Sequence, residues 1–282
     1  MSNFWARTIT GLSMVFILLV ALYFSGVVFA GIFLVVTVLG LWEFYGLIST
    51  ESCHPQKYFG TLSGIVLYTG AAIIYLSYPT YPLPRMHALL PLGILLPVIF
   101  LSFIFEIYRK RLNPLANIAT TLLGILYIAL PLSLLNAFSA KYNFHFWGLP
   151  EILVGYFTLT WFYDTAAYLY GKQFGKHKFF ERISPKKTWE GTIAGGVVAL
   201  ITAWGLSLLF RDIPLVDWMA VTGIVLLFGT HGDLAESLLK RSLNIKDSGS
   251  ILPGHGGILD RFDTVLLSAP FVFLYFFLRN AI

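Results

Sequence analysis

Chemistry-bearing residues crowd into one stretch of this sequence, from Asp164 to Asp263. Its last part runs GTHGDLAESLLKRSLNIKDSGSILPGHGGILDRFD, Gly229 to Asp263. On a helix, Asp233, Glu236, Ser237 and Lys240 fall at i, i+3, i+4 and i+7 and share one polar face. The segment from Asn244 to Gly257 is rich in Gly, Ser and Pro and reads as a shaped loop. Gly254, His255, Gly256 and Gly257 permit positive φ and close backbone approach, and successive N–H groups in such a turn can form an anion-binding nest. Asp260, Arg261 and Asp263 follow at the mouth of the last apolar segment, with Asp260 and Asp263 on one helical face.

Two earlier segments belong with these. In WFYDTAAYLYGKQFGK, Asp164, Tyr168 and Gly171 recur at i, i+4 and i+7, and Gly171 and Gly175 are expected to open a basic loop. In SPKKTWEG, Ser184 and Pro185 form an N-cap and N1 pair, so a helix is expected to start there. Lys186 and Lys187 would add charge to a backbone end that already favours anions. That arrangement suits a phosphate-bearing ligand at a membrane surface.

The residue types narrow the reaction. No GxxxxGK[ST] loop is present, which excludes a P-loop nucleotidase. The single cysteine, Cys53, excludes an intrachain disulfide and a multi-thiolate zinc site. Paired aspartates and hydroxyls favour a hard cation such as Mg²⁺ over zinc, and no nucleophile-elbow motif supports a Ser-His-Asp triad. Aspartates to hold metal, Lys and Arg to pair phosphates and glycine backbone to approach them are the parts that phosphorus-group transfer requires.

These residues must be positioned within an apolar solvent. The chain has 282 residues, 57% hydrophobic and 12% charged, with a mean hydropathy of +0.77. Soluble domains are about a quarter charged, so the fold class expected is all-α and polytopic in a membrane. Nine spans are expected, near residues 8–24, 27–48, 59–79, 87–107, 116–138, 150–170, 191–210, 214–231 and 262–279. Arg7 followed by an apolar run has the look of a signal segment, but no small-x-small cleavage site follows, and it is read as a retained first helix. The Asp233–Lys240 face would then be a separate amphipathic element beside the bilayer.

All but four of the 19 lysines and arginines fall on one side of these spans, the exceptions being Arg85, Lys141, Arg211 and Arg279. The positive-inside rule puts the basic loops, the chemistry and the N-terminus at the cytoplasmic face of the cell's inner membrane and the C-terminus outside. Residues 1–140 are expected to be a helical scaffold and 141–282 the catalytic region. An ionised carboxylate at mid-span costs at least about 2.5–3.5 kcal/mol. Asp164 therefore implies a water-filled site or, structurally, an ion pair with a neighbouring lysine. Glu43 and Glu106 fall near span ends, where snorkelling or lysine pairing is the default. His54, His87, His145 and His177 have no partner legible in the sequence.

The run from Ser237 to Asp263 resembles, without departure, the signature of the CDP-diacylglycerol synthase family. The Asp164 and Ser184 segments resemble that family's preceding motifs, and before Asp164 only the span pattern is shared. The resemblance implies that CTP and phosphatidate give CDP-diacylglycerol and pyrophosphate with Mg²⁺, in a homodimer with K⁺ beside the Mg²⁺. By motif position, Asp233 and Asp260 would hold metal with Asp263 assisting. Lys240, Arg241, Lys246 and Arg261 would pair phosphates, and Ser184, Lys186 and Lys187 would hold nucleotide or lipid phosphate. Ser237, His255, Gly256 and Gly257 join them as binding candidates, with Asp164 and Glu236 as further possibilities. A CTP-dependent polyprenol-type lipid kinase is the nearest rival. From another class, an ion-coupled transporter would use Glu43, Glu106 and Asp164 as a cation path. Nothing points to nucleic acid.

Overall fold

The computed structural model describes residues 3–77, 85–139, 150–245, 247–249 and 256–279. Nearly all of them are helical, in the order α1 (Asn3–Phe24), α2 (Gly26–Ile48), α3 (Lys57–Ser77), α4 (Arg85–Arg109), α5 (Pro114–Gly124) and α6 (Leu130–Leu134). Then come α7 (Glu151–Phe174), a two-stranded ribbon of β1 (Lys178–Phe180) and β2 (Ser184–Thr188), α8 (Trp189–Leu209), α9 (Leu215–Ile224), α10 (Thr230–Ser242) and α11 (Leu259–Leu278). Seven described stretches are long and apolar enough to cross a membrane: Gly26–Ile48, Lys57–Ser77, Leu89–Arg109, Pro114–Phe138, Trp189–Leu209, Leu215–Ser242 and Leu259–Leu278. The chain is an all-α polytopic membrane protein. Of the other two expected spans, α7 has the length, but its tyrosines, threonines and Asp164 dilute its apolar character, and Val15–Phe24 is a shorter apolar piece of α1.

Two continuous helical stretches contain a wider π turn. Ile125–Ala129 joins α5 to α6, and Val225–Gly229 joins α9 to α10. In the first, Leu130 N bonds back to Ile125 O just before Pro131. The proline has no N–H and crowds the carbonyl four residues back, so widening the ladder keeps the helix running. The second π turn makes Leu215–Ser242 one helix of 28 residues. The Asp233–Lys240 face is therefore the last part of a span, not a separate surface element: Gly229 and Gly232 bring α10 close to α11 instead of breaking it.

The chain divides into two compact units, one of Met1–Tyr142, Asp247–Phe262 and Phe276–Ile282, the other of Asn143–Lys246 and Asp263–Tyr275. In the first, the Tyr45 ring lies against Gly60 of α3 and Gly124 of α5, where any Cβ would overlap it, and its hydroxyl donates to Thr121 O at 2.7 Å. Small residues here let helices approach where no hydrophobic gain drives them together in lipid.

Glu106 is buried and neither snorkels nor pairs with lysine. Its carboxylate accepts from Asn117 Nδ2 (2.6 Å), Gln56 Nε2 (2.7 Å) and Arg109 Nη1 (2.8 Å). Asn117 Oδ1 in turn accepts His54 N at 2.6 Å, so the α2–α3 connection is tied to α4 and α5. Removing one member leaves buried donors unpaired at about 1–3 kcal/mol each. Glu106→Ala is expected to lower the thermal midpoint in detergent by several degrees, and an unchanged midpoint would show the network to be dispensable.

In the second unit, α7 and α8 meet backbone to backbone. A Cβ on Gly191 would lie 2.9 Å from Gly171 Cα, and one on Gly195 2.9 Å from Tyr163 O. Gly171 thus sits inside α7, which continues to Phe174; it forms a helix seam and does not open the basic loop.

Candidate active site

Helix α8 starts at Trp189, five residues after the expected start at Ser184. Residues 184–188 instead pair antiparallel with β1, in the register Lys178↔Thr188 and Phe180↔Ser184. Thr188 is the actual cap, its hydroxyl accepting Gly191 N at 3.2 Å. Glu190, in the first turn of α8, gathers the ribbon's entry: it accepts Lys176 N (3.1 Å) and His177 N (3.2 Å), and His177 Nδ1 lies 2.5 Å away. His177 therefore has a partner that local sequence did not reveal. Side chains alternate along a strand, so the two lysines part company. Lys186 is exposed, while Lys187 is half-buried.

Lys187 Nζ lies 2.7 Å from Asp233 Oδ2 and 3.4 Å from Thr230 O. Thr230 is fixed from the other side by Tyr163, whose hydroxyl is 2.5 Å from Thr230 Oγ1. Asp233 Oδ1 accepts Ser237 Oγ at 3.3 Å. A Cβ at Gly232 would overlap Asp263 O, and one at Gly229 would lie 2.6 Å from Thr264 Cγ2. The glycines of GTHGD thus let α10 cross α11 closely, which brings Asp233 and Asp263 to one place. Asp263 Oδ1 accepts Thr264 N at 2.7 Å, and Thr264 Oγ1 lies 3.4 Å from Asp164 Oδ2. Asp164 is hemmed in by neighbouring helices yet keeps an accessible side chain. Asp164, Asp233 and Asp263 act electrostatically on one another and on Lys187, with Lys240 reaching Asp263. Three carboxylates sharing one close lysine form a strongly negative site.

Lys240 pairs with buried Glu236 at 3.2 Å, one turn away on the same helix. Arg241 and Arg261 are exposed, and Ser184 is half-buried at the start of β2. Lys246 and His255 lie outside the described residues.

A second polar cluster belongs to the first unit and surrounds the loop before α11. Asp260 Oδ2 accepts Ser248 N and Gly257 N, each at 2.9 Å, and Ser248 Oγ lies at the same distance. Gly256 has φ +83°, a conformation in which only glycine is unstrained, and a Cβ there would overlap Asp260 Oδ2. Glu43 of α2 is buried against the same loop. It accepts Ser248 Oγ, Ile258 N at 2.9 Å and Leu259 N at 3.2 Å. Sequence reasoning assigned Glu43 to a span end, where snorkelling is the default; its partners are a hydroxyl and two backbone amides.

Among the described residues no three or more His, Cys, Asp or Glu side chains are placed to share one metal ion. Mg²⁺ keeps most of its coordination for water and substrate phosphates and takes only one or two protein carboxylates. Asp233 and Asp263, hard oxygen donors in a site of excess negative charge, fit that requirement. The same donors with a half-buried lysine suit a polyphosphate carrying a divalent cation.

A family model described as "Cytidylyltransferase family" matches residues 5–279. The chain belongs to the cytidylyltransferase family. It is 37% identical over 214 residues to the phosphatidate cytidylyltransferase of Staphylococcus aureus (strain COL), covering 75% of this chain and 78% of that one. It is 50% identical over 119 residues to that of Bacillus subtilis (strain 168), covering 42% and 44% of the two chains. The family match extends through α1–α6, where sequence resemblance had been limited to the pattern of spans.

Proposed function

We propose that this chain transfers CMP from CTP to phosphatidate, releasing pyrophosphate and forming CDP-diacylglycerol. The observation that carries the reading is the meeting of Asp233, Asp263 and Lys187 at the α10–α11 crossing in a chain of this family. A phosphatidate oxygen attacks the α-phosphorus of CTP, the bond from that phosphorus to the bridging oxygen breaks, and pyrophosphate departs. The attacking oxygen is already ionised near neutral pH, so the site needs no strong base. Its task is positioning and charge neutralisation.

Asp233 and Asp263 would hold Mg²⁺, which when bound supplies positive charge against the departing pyrophosphate. Lys187 is anchored by Asp233 and Thr230 and can turn its ammonium to a phosphate entering between them. Lys240, steadied by Glu236, adds positive charge toward Asp263. Arg241 and Arg261 are exposed and would pair phosphates by their place in the family motif, and Asp164 deepens the negative field that draws a cation in. The excess of lysine and arginine on one side of the spans supports a cytoplasmic site, and the family resemblance supports a homodimer with K⁺ beside the Mg²⁺.

The test is to incubate purified protein with CTP and phosphatidate, with and without Mg²⁺, and to measure pyrophosphate and CDP-lipid together. Mg²⁺-dependent pyrophosphate in equal amount to CDP-diacylglycerol is the expected result. CDP in place of pyrophosphate, on addition of a lipid alcohol, would replace the transferase by a kinase. Silence with both acceptors from folded protein would reject both reactions.

A further inference from the structure

We infer that Glu43 is a positioning residue for this reaction: from α2 it holds the loop before α11 in the shape that Asp260 requires. The inference rests on the proposed transferase reading and concerns a helix that carries none of the signature. A carboxylate in an apolar span costs at least about 2.5–3.5 kcal/mol on insertion scales, and among the described residues what compensates Glu43 is a set of hydrogen-bond donors. Glu43 receives three donors, and all belong to the segment around Asp260. Ile258 N and Leu259 N are donors at the start of α11, which the helix itself leaves unsatisfied. The third donor, Ser248 Oγ, also lies 2.9 Å from Asp260 Oδ2, so the hydroxyl bridges the two carboxylates.

Packing makes the contact specific. A Cβ on Gly257 would overlap both Glu43 Oε1 and Ser248 Oγ, and one on Gly249 would stand 2.9 Å from Glu43 Oε2. The second glycine of the His-Gly-Gly turn is thus required by the carboxylate that sits against it, separately from the demand for positive φ at Gly256. Glu43 and Asp260 hold adjacent amides, Asp260 those of Ser248 and Gly257, Glu43 the next two, of Ile258 and Leu259.

The test combines kinetics with hydrogen exchange on the full chain in detergent. In Glu43→Ala, kcat should fall about 10²-fold, the order expected when a reacting group is displaced by an ångström, with the KM for phosphatidate within about threefold of wild type. The amides of Gly257, Ile258 and Leu259 should exchange faster, and those of α3 should not change. Glu43→Gln keeps an acceptor oxygen and should recover most of the rate and the protection. Gly257→Ala should lose rate by itself but add little to Glu43→Ala, because residues acting through one contact are not additive. Wild-type kcat in Glu43→Ala, unchanged exchange at 257–259, or losses that simply add would each overturn the inference. If Glu43→Ala does not fold, Glu43→Gln and Gly257→Ala decide it: Gly257→Ala with intact kcat, or unchanged exchange at 257–259, overturns it. Wild-type protein silent toward CTP and phosphatidate would defeat the transferase reading instead. The exchange measurements need no substrate and still decide whether Glu43 holds the loop.

Discussion

Asp233→Asn is expected to lower kcat about 10²–10³-fold, the range seen when one preorganised electrostatic contact to a transition state is removed, while the thermal midpoint stays level or rises. The two effects separate because they draw on different terms. In folding, Asp233 contributes an ion pair to Lys187 whose partners remain 33% and 24% exposed, and such pairs are worth about 0.2–1 kcal/mol. Against that small gain stands the repulsion of Asp233 with Asp164 and Asp263, which the neutral amide relieves. In catalysis, the same carboxylate is one of two that would hold Mg²⁺, and an amide is a poorer ligand for a hard cation. Lys187 keeps Asp164 and Asp263 as counter-charges, so no isolated buried cation is created. The measurement pairs a melting curve with initial rates over a range of Mg²⁺ concentrations. A variant that melts early and is inactive would make Asp233 a structural residue. One that melts normally and turns over normally would remove it from the mechanism.

The same cluster shows what local spacing reveals and what it conceals. The face of Asp233, Glu236, Ser237 and Lys240 is legible because a helix repeats every 3.6 residues, and the structure places Ser237 on Asp233 and Lys240 on Glu236 as that period requires. The continuity of Leu215–Ser242 is hidden because glycine and polar residues at 229–233 read locally as an end. Only the partner helix, pressed against Gly229 and Gly232, explains why they are there. Ser184 and Pro185 mislead for a related reason: both suit a helix start, and the deciding factor is the pairing of Ser184–Thr188 with Lys178–Phe180. Once the strand forms, Lys186 and Lys187 point to opposite faces, and the expected paired-lysine site becomes a single lysine beside Asp233.

Glu43 is the larger omission. Its amide donors lie 215 and 216 residues away in the chain, beyond the reach of any periodic pattern. One signal was present nonetheless: a carboxylate within an apolar span with no basic residue nearby in sequence. The Asp233–Asp263 cluster depends on helix crossings within the second unit, and the Asp260 cluster on contacts with α2 within the first.

Asp260 is where the chemistry and the architecture must be told apart, and a pair of substitutions does so. Asp260→Ala removes the acceptor of two backbone N–H groups, those of Ser248 and Gly257, while the Ser248 hydroxyl keeps Glu43 as its acceptor. Each donor left unpaired costs about 1–3 kcal/mol, so this variant is expected to melt several degrees lower and to lose activity. Asp260→Asn can keep an oxygen at the Oδ2 position and so preserve both bonds, though charge-assisted bonds are roughly twice as strong as neutral ones. Its midpoint should therefore lie close to wild type. If Asp260 contributes negative charge toward Mg²⁺, Asp260→Asn should still lose about 10²–10³-fold in kcat, with an increased Mg²⁺ requirement at every CTP concentration. If it serves only to shape the loop, Asn should restore most of the rate that Ala loses. Near-normal turnover in Asp260→Asn would leave Asp233 and Asp263 as the metal-holding pair, and Asp260 would join Glu43 in maintaining the geometry of the Gly256–Gly257 turn.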